Sequence, residues 1–208
     1  MVHTLIEAFR YRGCPICQIL DQDEYDFMCQ WQHRTFMEEK TREDLVSAKG
    51  YCNFHFYEMA RLTSPLVNAV VVKDLIDKEV EEIEKGAIPS PGKIDCPVCR
   101  YVGQKEEVYL REFTTLLQDE AIQKKYEGTD GLCRVHMKKI LYPLEGNELG
   151  QFVLRTQLSQ LKNLKEELQN FISKGGRGAK EMGREKNSWW IAIKKMVGKK
   201  GLGELDSF

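Results

Sequence analysis

The chain has 208 residues, 42% of them hydrophobic and 30% charged, so it is long enough and apolar enough to form a hydrophobic core. Outside the C-terminal tail the chain is acidic, so specific nucleic-acid binding, which needs a basic surface, is not expected, and a contact of the tail alone would be non-specific. The charge is unevenly distributed, because residues 1–173 contain 22 basic and 28 acidic residues whereas residues 174–200 contain nine basic and two acidic ones. An acidic body with a basic tail is therefore expected.

The N-terminal segment predicts a cytoplasmic protein. Residues 1–10 contain no basic stretch followed by an apolar run, and no small-residue cleavage site. No segment of the chain approaches the roughly 18 uninterrupted apolar residues of a membrane span. In a reducing compartment, the seven cysteines favour metal ligation over a disulfide framework.

The first half of the chain begins its regular structure at a Cys-Pro-x-Cys motif. Pro15 predicts a helix that begins directly after Cys14, because proline fits the first position of a helix, and Cys17 then lies on the same face as Cys14. A short helix or turn follows. A further helix is predicted to begin at Cys52 and to carry His55 on the same face.

The second half repeats this order of elements after the segment 87–93, which is rich in proline and glycine and is interpreted as a linker. Cys96 and Cys99 form the second Cys-Pro-x-Cys motif at a helix start. Cys133 and His136 form the second Cys-x-x-His pair. Partial positive charge at such helix starts stabilises thiolates.

Each half ends in a predicted long amphipathic helix, at residues 64–85 and at about 147–174. Glycines at positions 86 and 175 are placed to end them. Strand patterns are nearly absent, so the predicted fold class is all-α. The apolar positions recur at helical spacing in both segments: Leu66, Val70, Ile76, Val80 and Ile83 in the first, and Phe152, Leu158, Leu161, Leu164, Leu168, Phe171 and Ile172 in the second.

The two halves align with a constant offset of 82 or 81 residues, which indicates internal duplication. We interpret residues 1–86 and 94–174 as two helical repeats, each with a Cys3His metal site. The offset extends to residues that are not ligands: Glu24 and Glu106, Phe27 and Tyr109, Trp31 and Phe113, Gly50 and Gly131. The two glutamates are expected on solvated helix faces, with a position behind the metal ligands as the alternative.

Three thiols and one imidazole are the ligands of a closed tetrahedral site, and the count predicts two zinc ions. An iron–sulfur cluster or a thioredoxin-like redox site is the alternative, because Cys-Pro and Cys-x-x-Cys occur in both. The sequence leaves open whether each site forms within one repeat or across the two. The predicted ligands are Cys14, Cys17, Cys52, His55, Cys96, Cys99, Cys133 and His136.

Because every position of such a site is a protein ligand, we expect a structural role within an interaction or regulatory module that has a protein partner. A redox protein or sensor is the alternative class. An enzyme is disfavoured, because we find no nucleophile–base pair, phosphate-binding loop or open metal site.

Residues 175–208 combine a glycine-rich hinge with a basic amphipathic tail. The apolar residues of the tail lie at helical spacing. Such a helix could bind a partner or an anionic membrane surface. The alternative is that it folds back onto the core of the protein with its lysines solvated. The oligomeric state is not predicted. The candidate contact residues are Trp189, Trp190, Ile193, Lys194 and Lys195.

The duplicated half-sites on an all-helical chain resemble an uncharacterised family of bacterial proteins, found largely in anaerobes. Its members carry a CPVC-like start and a GLCxxH-like second half, matched here by Cys96–Cys99 and by Gly131–His136. The resemblance covers most of residues 12–174, and Tyr51 departs from the leucine found at Leu132. It implies metal binding and adds no mechanism.

Overall fold

The structure is a computed structural model that describes residues 3–88, 94–174 and 182–200. The described residues form ten α-helices and no strand, which confirms the all-α prediction. Two short 3-10 segments, Tyr142–Leu144 and Arg184–Asn187, precede α9 and α10. The helices are α1 (Leu5–Ala8), α2 (Pro15–Met37), α3 (Glu39–Ser47), α4 (Asn53–Leu62), α5 (Pro65–Glu84), α6 (Pro97–Leu116), α7 (Glu120–Glu127), α8 (Arg134–Leu141), α9 (Glu148–Ser173) and α10 (Ser188–Val197).

The chain forms two compact units whose boundaries fall within α2 and α6. Unit 1 comprises Met1–Gln22 and Glu106–Phe208, and unit 2 comprises Asp23–Lys105. These spatial units differ from the sequence repeats 1–86 and 94–174, which remain a prediction about the duplication. Most of the predicted linker, residues 89–93, and the glycines of the predicted hinge lie outside the described residues.

Four helices begin at cysteine-containing motifs, as the sequence predicts. The carbonyl oxygens of Cys14 and Cys96 accept the first intrahelical hydrogen bonds of α2 and α6, each at 3.0 Å. Cys52 and Cys133 are the N-caps of α4 and α8. The thiols are therefore held at the N-terminal ends of helices, where the helix dipole favours negative charge.

Unit 1 has an aromatic core around Phe113 and Tyr126, whose rings pack edge to face at 5.2 Å. Phe9 contacts both of these rings, so the short helix α1 is tied to α6 and α7. Leu132, just before α8, and Ile140, within it, are also buried. Buried apolar contacts therefore surround the segment that carries Cys133 and His136.

Unit 2 has a smaller core. Phe27 of α2 stacks on Tyr101 of α6 at 4.2 Å and on Trp31 at 5.3 Å. Leu45 and Met59 are buried from α3 and α4. With few large buried side chains, this unit has more need of a stabilising cross-link than unit 1.

The two long helices have the predicted ends but an unexpected orientation of their apolar stripes. Ser64 and Asn147 cap α5 and α9 by accepting hydrogen bonds from backbone N–H groups. Val71 is the buried residue of α5, whereas Ile76 and Val80 are exposed. In α9, Leu158 is exposed as well. Regular apolar spacing thus predicted helix formation correctly, although much of each stripe faces solvent.

The tail helix α10 folds back against α8 and α9. Ile191 and Lys195 face inward, and Lys195 is only 4% exposed. The helix folds back as one of the two alternatives expects, but Lys195 is buried and Trp189 and Trp190 are exposed, which that alternative did not predict. In the described residues, no helix is both long enough and apolar enough to cross a membrane.

Candidate metal centres

The first group of potential ligands, centre A, lies within unit 1. It consists of Cys14 and Cys17 from the start of α2, with Cys133 and His136 from the start of α8. The three sulfur atoms lie 3.3 to 3.4 Å from Nδ1 of His136, and the Sγ atoms of Cys17 and Cys133 are 3.7 Å apart. All four side chains are buried.

The second group, centre B, lies within unit 2. Cys52 and His55 come from the start of α4, and Cys96 and Cys99 from the start of α6. The three sulfur atoms lie 3.2 to 3.4 Å from Nδ1 of His55. The Sγ atoms of Cys52 and Cys99 are 3.6 Å apart. Cys52 and Cys99 are only half-buried, so this centre is more accessible than centre A.

The structure resolves the pairing that the sequence left open. Each centre combines the Cys-Pro-x-Cys motif of one repeat with the Cys-x-x-His pair of the other. The interpretation that each repeat contains its own Cys3His site is therefore wrong in this detail. The all-α fold class and the Cys3His composition of the sites are confirmed. The physical reason is that each compact unit is assembled from parts of both repeats.

The spacing of the potential ligand atoms suits a single tetrahedral ion. With Zn–S bonds of about 2.3 Å and a Zn–N bond of about 2.0 Å, tetrahedral geometry places sulfur atoms about 3.8 Å apart and each sulfur about 3.5 Å from the nitrogen. The ligand atoms of each group lie within 4.8 Å of one another. Each group could therefore hold a metal ion without rearrangement of the backbone.

Both histidines are oriented by a buried glutamate. Nε2 of His55 is 2.6 Å from Oε1 of Glu24, and Nε2 of His136 is 3.0 Å from Oε1 of Glu106. A carboxylate that accepts a hydrogen bond from Nε2–H fixes the tautomer in which Nδ1 is free to bind a metal. The expectation that these glutamates are solvated is wrong, because both are buried. The signal for this role in the sequence is that each glutamate lies seven residues after a ligand cysteine, Cys17 or Cys99.

Lysine 139 distinguishes centre A from centre B. Its Nζ lies 2.8 Å from both carboxylate oxygens of Glu106. Together with His136, Lys139 lowers the pKa of Glu106 although burial alone would raise it. The equivalent position in the first repeat is Glu58, so this cation is not duplicated.

The thiols of each group influence one another strongly. In centre A, burial opposes ionisation of Cys14, but hydrogen bonds with Cys133 and Cys17 lower its pKa. Hydrogen bonds with Cys133 and Cys14 raise the pKa of Cys17. Burial likewise opposes protonation of His136, but the negative charge of Cys14 raises its pKa. A dication that binds here must displace protons, so its binding releases protons to solvent.

Asp130 connects the two loops that precede the ligands of centre A. Its Oδ2 accepts hydrogen bonds from the backbone N–H of Gly13 and from Nε of Arg12, both at 2.7 Å. Its Oδ1 accepts from Arg184 at 2.8 Å, and its backbone oxygen accepts from Lys195. Burial would raise the pKa of Asp130, but Arg12 lowers it. The sequence provided no periodic signal for this residue.

The candidate contact residues of the tail fall into two groups. Trp189, Trp190 and Ile193 are exposed, and Nζ of Lys194 lies 5.8 Å from the centre of the Trp190 ring. Lys195 faces the protein interior. Burial lowers its pKa to about 8, opposed by the negative charge of Cys14.

The comparisons with known proteins reach only part of the chain. Residues 4–94 match the model of a family of unknown function, DUF6062, which spans less than half of the sequence. No curated protein and no solved structure matches the chain. The matched segment contains two of the four potential ligands of each centre, so the match and the metal groups overlap.

Proposed function

We propose that this protein binds two zinc ions in structural Cys3His centres and acts as an interaction or regulatory module. The observation that carries the proposal is the pair of compact ligand groups, each with a histidine held in the metal-binding tautomer by a buried glutamate. An ion in each centre would join two helix starts that are distant in sequence, and its binding energy would stabilise the unit that contains it.

The spacing of the ligand atoms favours a single ion over an iron–sulfur cluster. In a cluster, several irons share the ligation, so the protein ligands spread around a larger object. Here, three sulfurs surround one nitrogen at 3.2 to 3.4 Å in both groups. Cys3His ligation by thiolates and imidazole suits zinc, which has no redox chemistry of its own.

A structural role follows from the complete ligand sets. Four protein ligands fill a tetrahedral ion, so neither water nor substrate has a coordination position. A zinc ion with three thiolates and a neutral imidazole forms a complex with a net negative charge. The N-terminal ends of the two helices at each centre offset this charge. Thiol-based redox sensing is a second candidate for centre B alone, because half-buried Cys52 and Cys99 lie 3.6 Å apart.

Metal analysis of anaerobically purified protein tests both the metal and the pairing. We expect two zinc ions per chain. Cys17→Ser with Cys133→Ser should remove one ion because both residues belong to centre A, whereas Cys17→Ser with Cys52→Ser should remove two. Cys29→Ser is the matched control and should retain both ions, since Cys29 lies outside the two groups.

The result has clear alternatives. Iron with labile sulfide in the purified protein would contradict the zinc assignment. Loss of both ions from the Cys17→Ser, Cys133→Ser variant would contradict the pairing across repeats. Two ions retained by every variant would show that these cysteines are not ligands.

A further inference from the structure

The outer side of α10 is a continuous apolar surface, which we call the tail face. It consists of Trp189, Trp190, Ile193, Met196 and Val197, all of which are about half exposed. Their helical spacing places them on one side of α10, opposite Ile191 and Lys195. Buried Lys195 donates a hydrogen bond to the carbonyl oxygen of Asp130 and so holds the helix on unit 1, which leaves the tail face exposed to solvent.

Three basic residues of the tail lie near this face. Lys194 lies beside Trp190, and Lys186 and Lys200 flank the two ends of the helix. No acidic residue is present within α10. The tail face is therefore apolar with a positively charged margin.

Unit 2 presents a surface of the opposite charge on α5, which we call the α5 face. Val72, Ile76, Val80 and Ile83 lie along one side of the helix and are all exposed, with Ile76 at 52% and Ile83 at 54%. α5 contains six acidic and two basic residues, and helical spacing places Glu79 and Glu84 at the two margins of this stripe. An exposed isoleucine and valine stripe of this length has no role in the core of its own unit.

We infer that the protein self-associates, with the tail face of one copy packed on the α5 face of a second copy. Two amphipathic helices with matching apolar stripes bury those stripes together, and a basic margin beside an acidic margin sets their specificity. An anionic membrane would attract the tail face, but it would leave the acidic α5 face unexplained. A second copy accounts for both faces. This inference does not depend on which metal the centres hold.

Sedimentation velocity of the full-length, metal-loaded chain over a range of concentrations tests the inference. We expect an oligomer that dissociates on dilution and that is weakened by added salt. Ile76→Asp and Trp190→Asp should each raise the dissociation constant more than about 30-fold, as expected for a central apolar contact. Leu158→Asp is the matched control, because Leu158 is an equally exposed apolar residue of the long helix α9 and belongs to neither face.

A mixing experiment identifies the two faces as partners of each other. Ile76→Asp retains an intact tail face, and Trp190→Asp retains an intact α5 face. Neither variant should associate alone, but an equimolar mixture should form a heterodimer through the one intact pair of faces. Metal content of two ions per chain confirms that both variants are folded.

Each other outcome overturns the inference. A wild-type chain that stays monomeric up to about 100 μM would do so, because a dissociation constant above that value corresponds to weak binding. Association of one single variant on its own would mean that a face packs on the same face of a second molecule. Loss of association in Leu158→Asp would place the interface elsewhere. Sedimentation with phosphatidylserine vesicles that requires Trp190 but not Ile76, without self-association, would show a membrane surface instead.

Discussion

Glu24 and His55 are joined by a 2.6 Å contact between Oε1 and Nε2, although they are 31 residues apart in sequence. Glu24 lies on α2, the helix that supplies Cys14 and Cys17 to centre A, whereas His55 belongs to centre B. In the same way, α6 supplies two thiols to centre B and Glu106 to centre A. Each of these helices therefore contributes to both centres.

This relationship leads to a prediction about metal affinity. Glu24→Ala should weaken metal binding at centre B by about 100-fold, because the imidazole loses the carboxylate that orients it and raises its basicity. Glu24→Gln keeps a hydrogen-bond acceptor without the charge, so the loss should be nearer tenfold. Competition with a colorimetric zinc chelator measures both effects.

The corresponding variant of centre A is the control. Glu106→Ala should weaken centre A and leave centre B unchanged, so the two variants should affect different ions. Equal weakening of both ions by either variant would show that the glutamates act through global stability rather than through their own histidines.

Much of this molecule could be predicted from sequence because its signals are local. Proline after cysteine, glycine before the second ligand pair and helical spacing of apolar residues gave the helix starts and the ends of α5 and α9. The pairing of ligands could not be predicted, because the two Cys-Pro-x-Cys motifs are alike and either one could combine with either Cys-x-x-His pair. Asp130 was missed since its partners, Gly13 and Lys195, are more than 60 residues away.

The offset of 82 residues also identifies residues that lie behind the ligands. Glu24 and Glu106 are equivalent by this offset. A carboxylate that recurs at the same distance from the metal ligands indicates a residue that hydrogen-bonds to one of those ligands. The orientation of α10 could not be predicted. Its apolar spacing favours burial of the tryptophans, but Lys195 finds an acceptor at Asp130 that only the folded chain provides.

Asp130 should be a sensitive carboxylate of unit 1. Asp130→Asn removes the charge that faces Arg12 and Arg184; because both arginines are partly exposed, the loss should be about 1 to 3 kcal/mol of unfolding free energy, below that of a fully buried ion pair. Thermal unfolding of the metal-loaded protein measures the loss. Limited proteolysis should also cleave the tail faster, because Arg184 and Lys195 both depend on this residue.

An exposed ion pair provides the comparison for Asp130. Asp77→Asn breaks the contact between Asp77 and Lys73 on the solvent side of α5, where screening by water leaves little to lose. An unchanged melting temperature in Asp130→Asn would contradict the central position that we give to this residue.

The two centres should lose their metal at different rates. Half-buried Cys52 and Cys99 admit a chelator or an alkylating reagent, whereas Cys14, Cys17 and Cys133 are buried. Excess chelator should therefore remove the metal in two phases, with centre B emptied first. Alkylation followed by peptide mass spectrometry assigns the phases, in a Cys29→Ser background because Cys29 is itself half-buried. Alkylation of Cys14 before Cys52 would contradict this order.

Two glycines with the same backbone conformation should differ in their tolerance of a side chain. Gly131 and Gly86 both have φ of +76°, so alanine at either position costs about 1 to 2 kcal/mol of backbone strain. A Cβ at Gly86 meets nothing within 4 Å, whereas one at Gly131 clashes with Oε1 of Gln160. To relieve this clash, the buried Gln160 amide must rotate away from its 3.0 Å hydrogen bond to the Tyr126 carbonyl.

Gly131→Ala should consequently destabilise the protein by about 1 to 3 kcal/mol more than Gly86→Ala, the penalty for a buried polar group without its partner. Thermal unfolding of the two variants gives this difference directly. Because Gly131 lies two residues before Cys133, the metal of centre A should also exchange faster in Gly131→Ala, while centre B keeps its rate. Equal melting temperatures would show that the loop before Cys133 can move aside without disturbing the ligands.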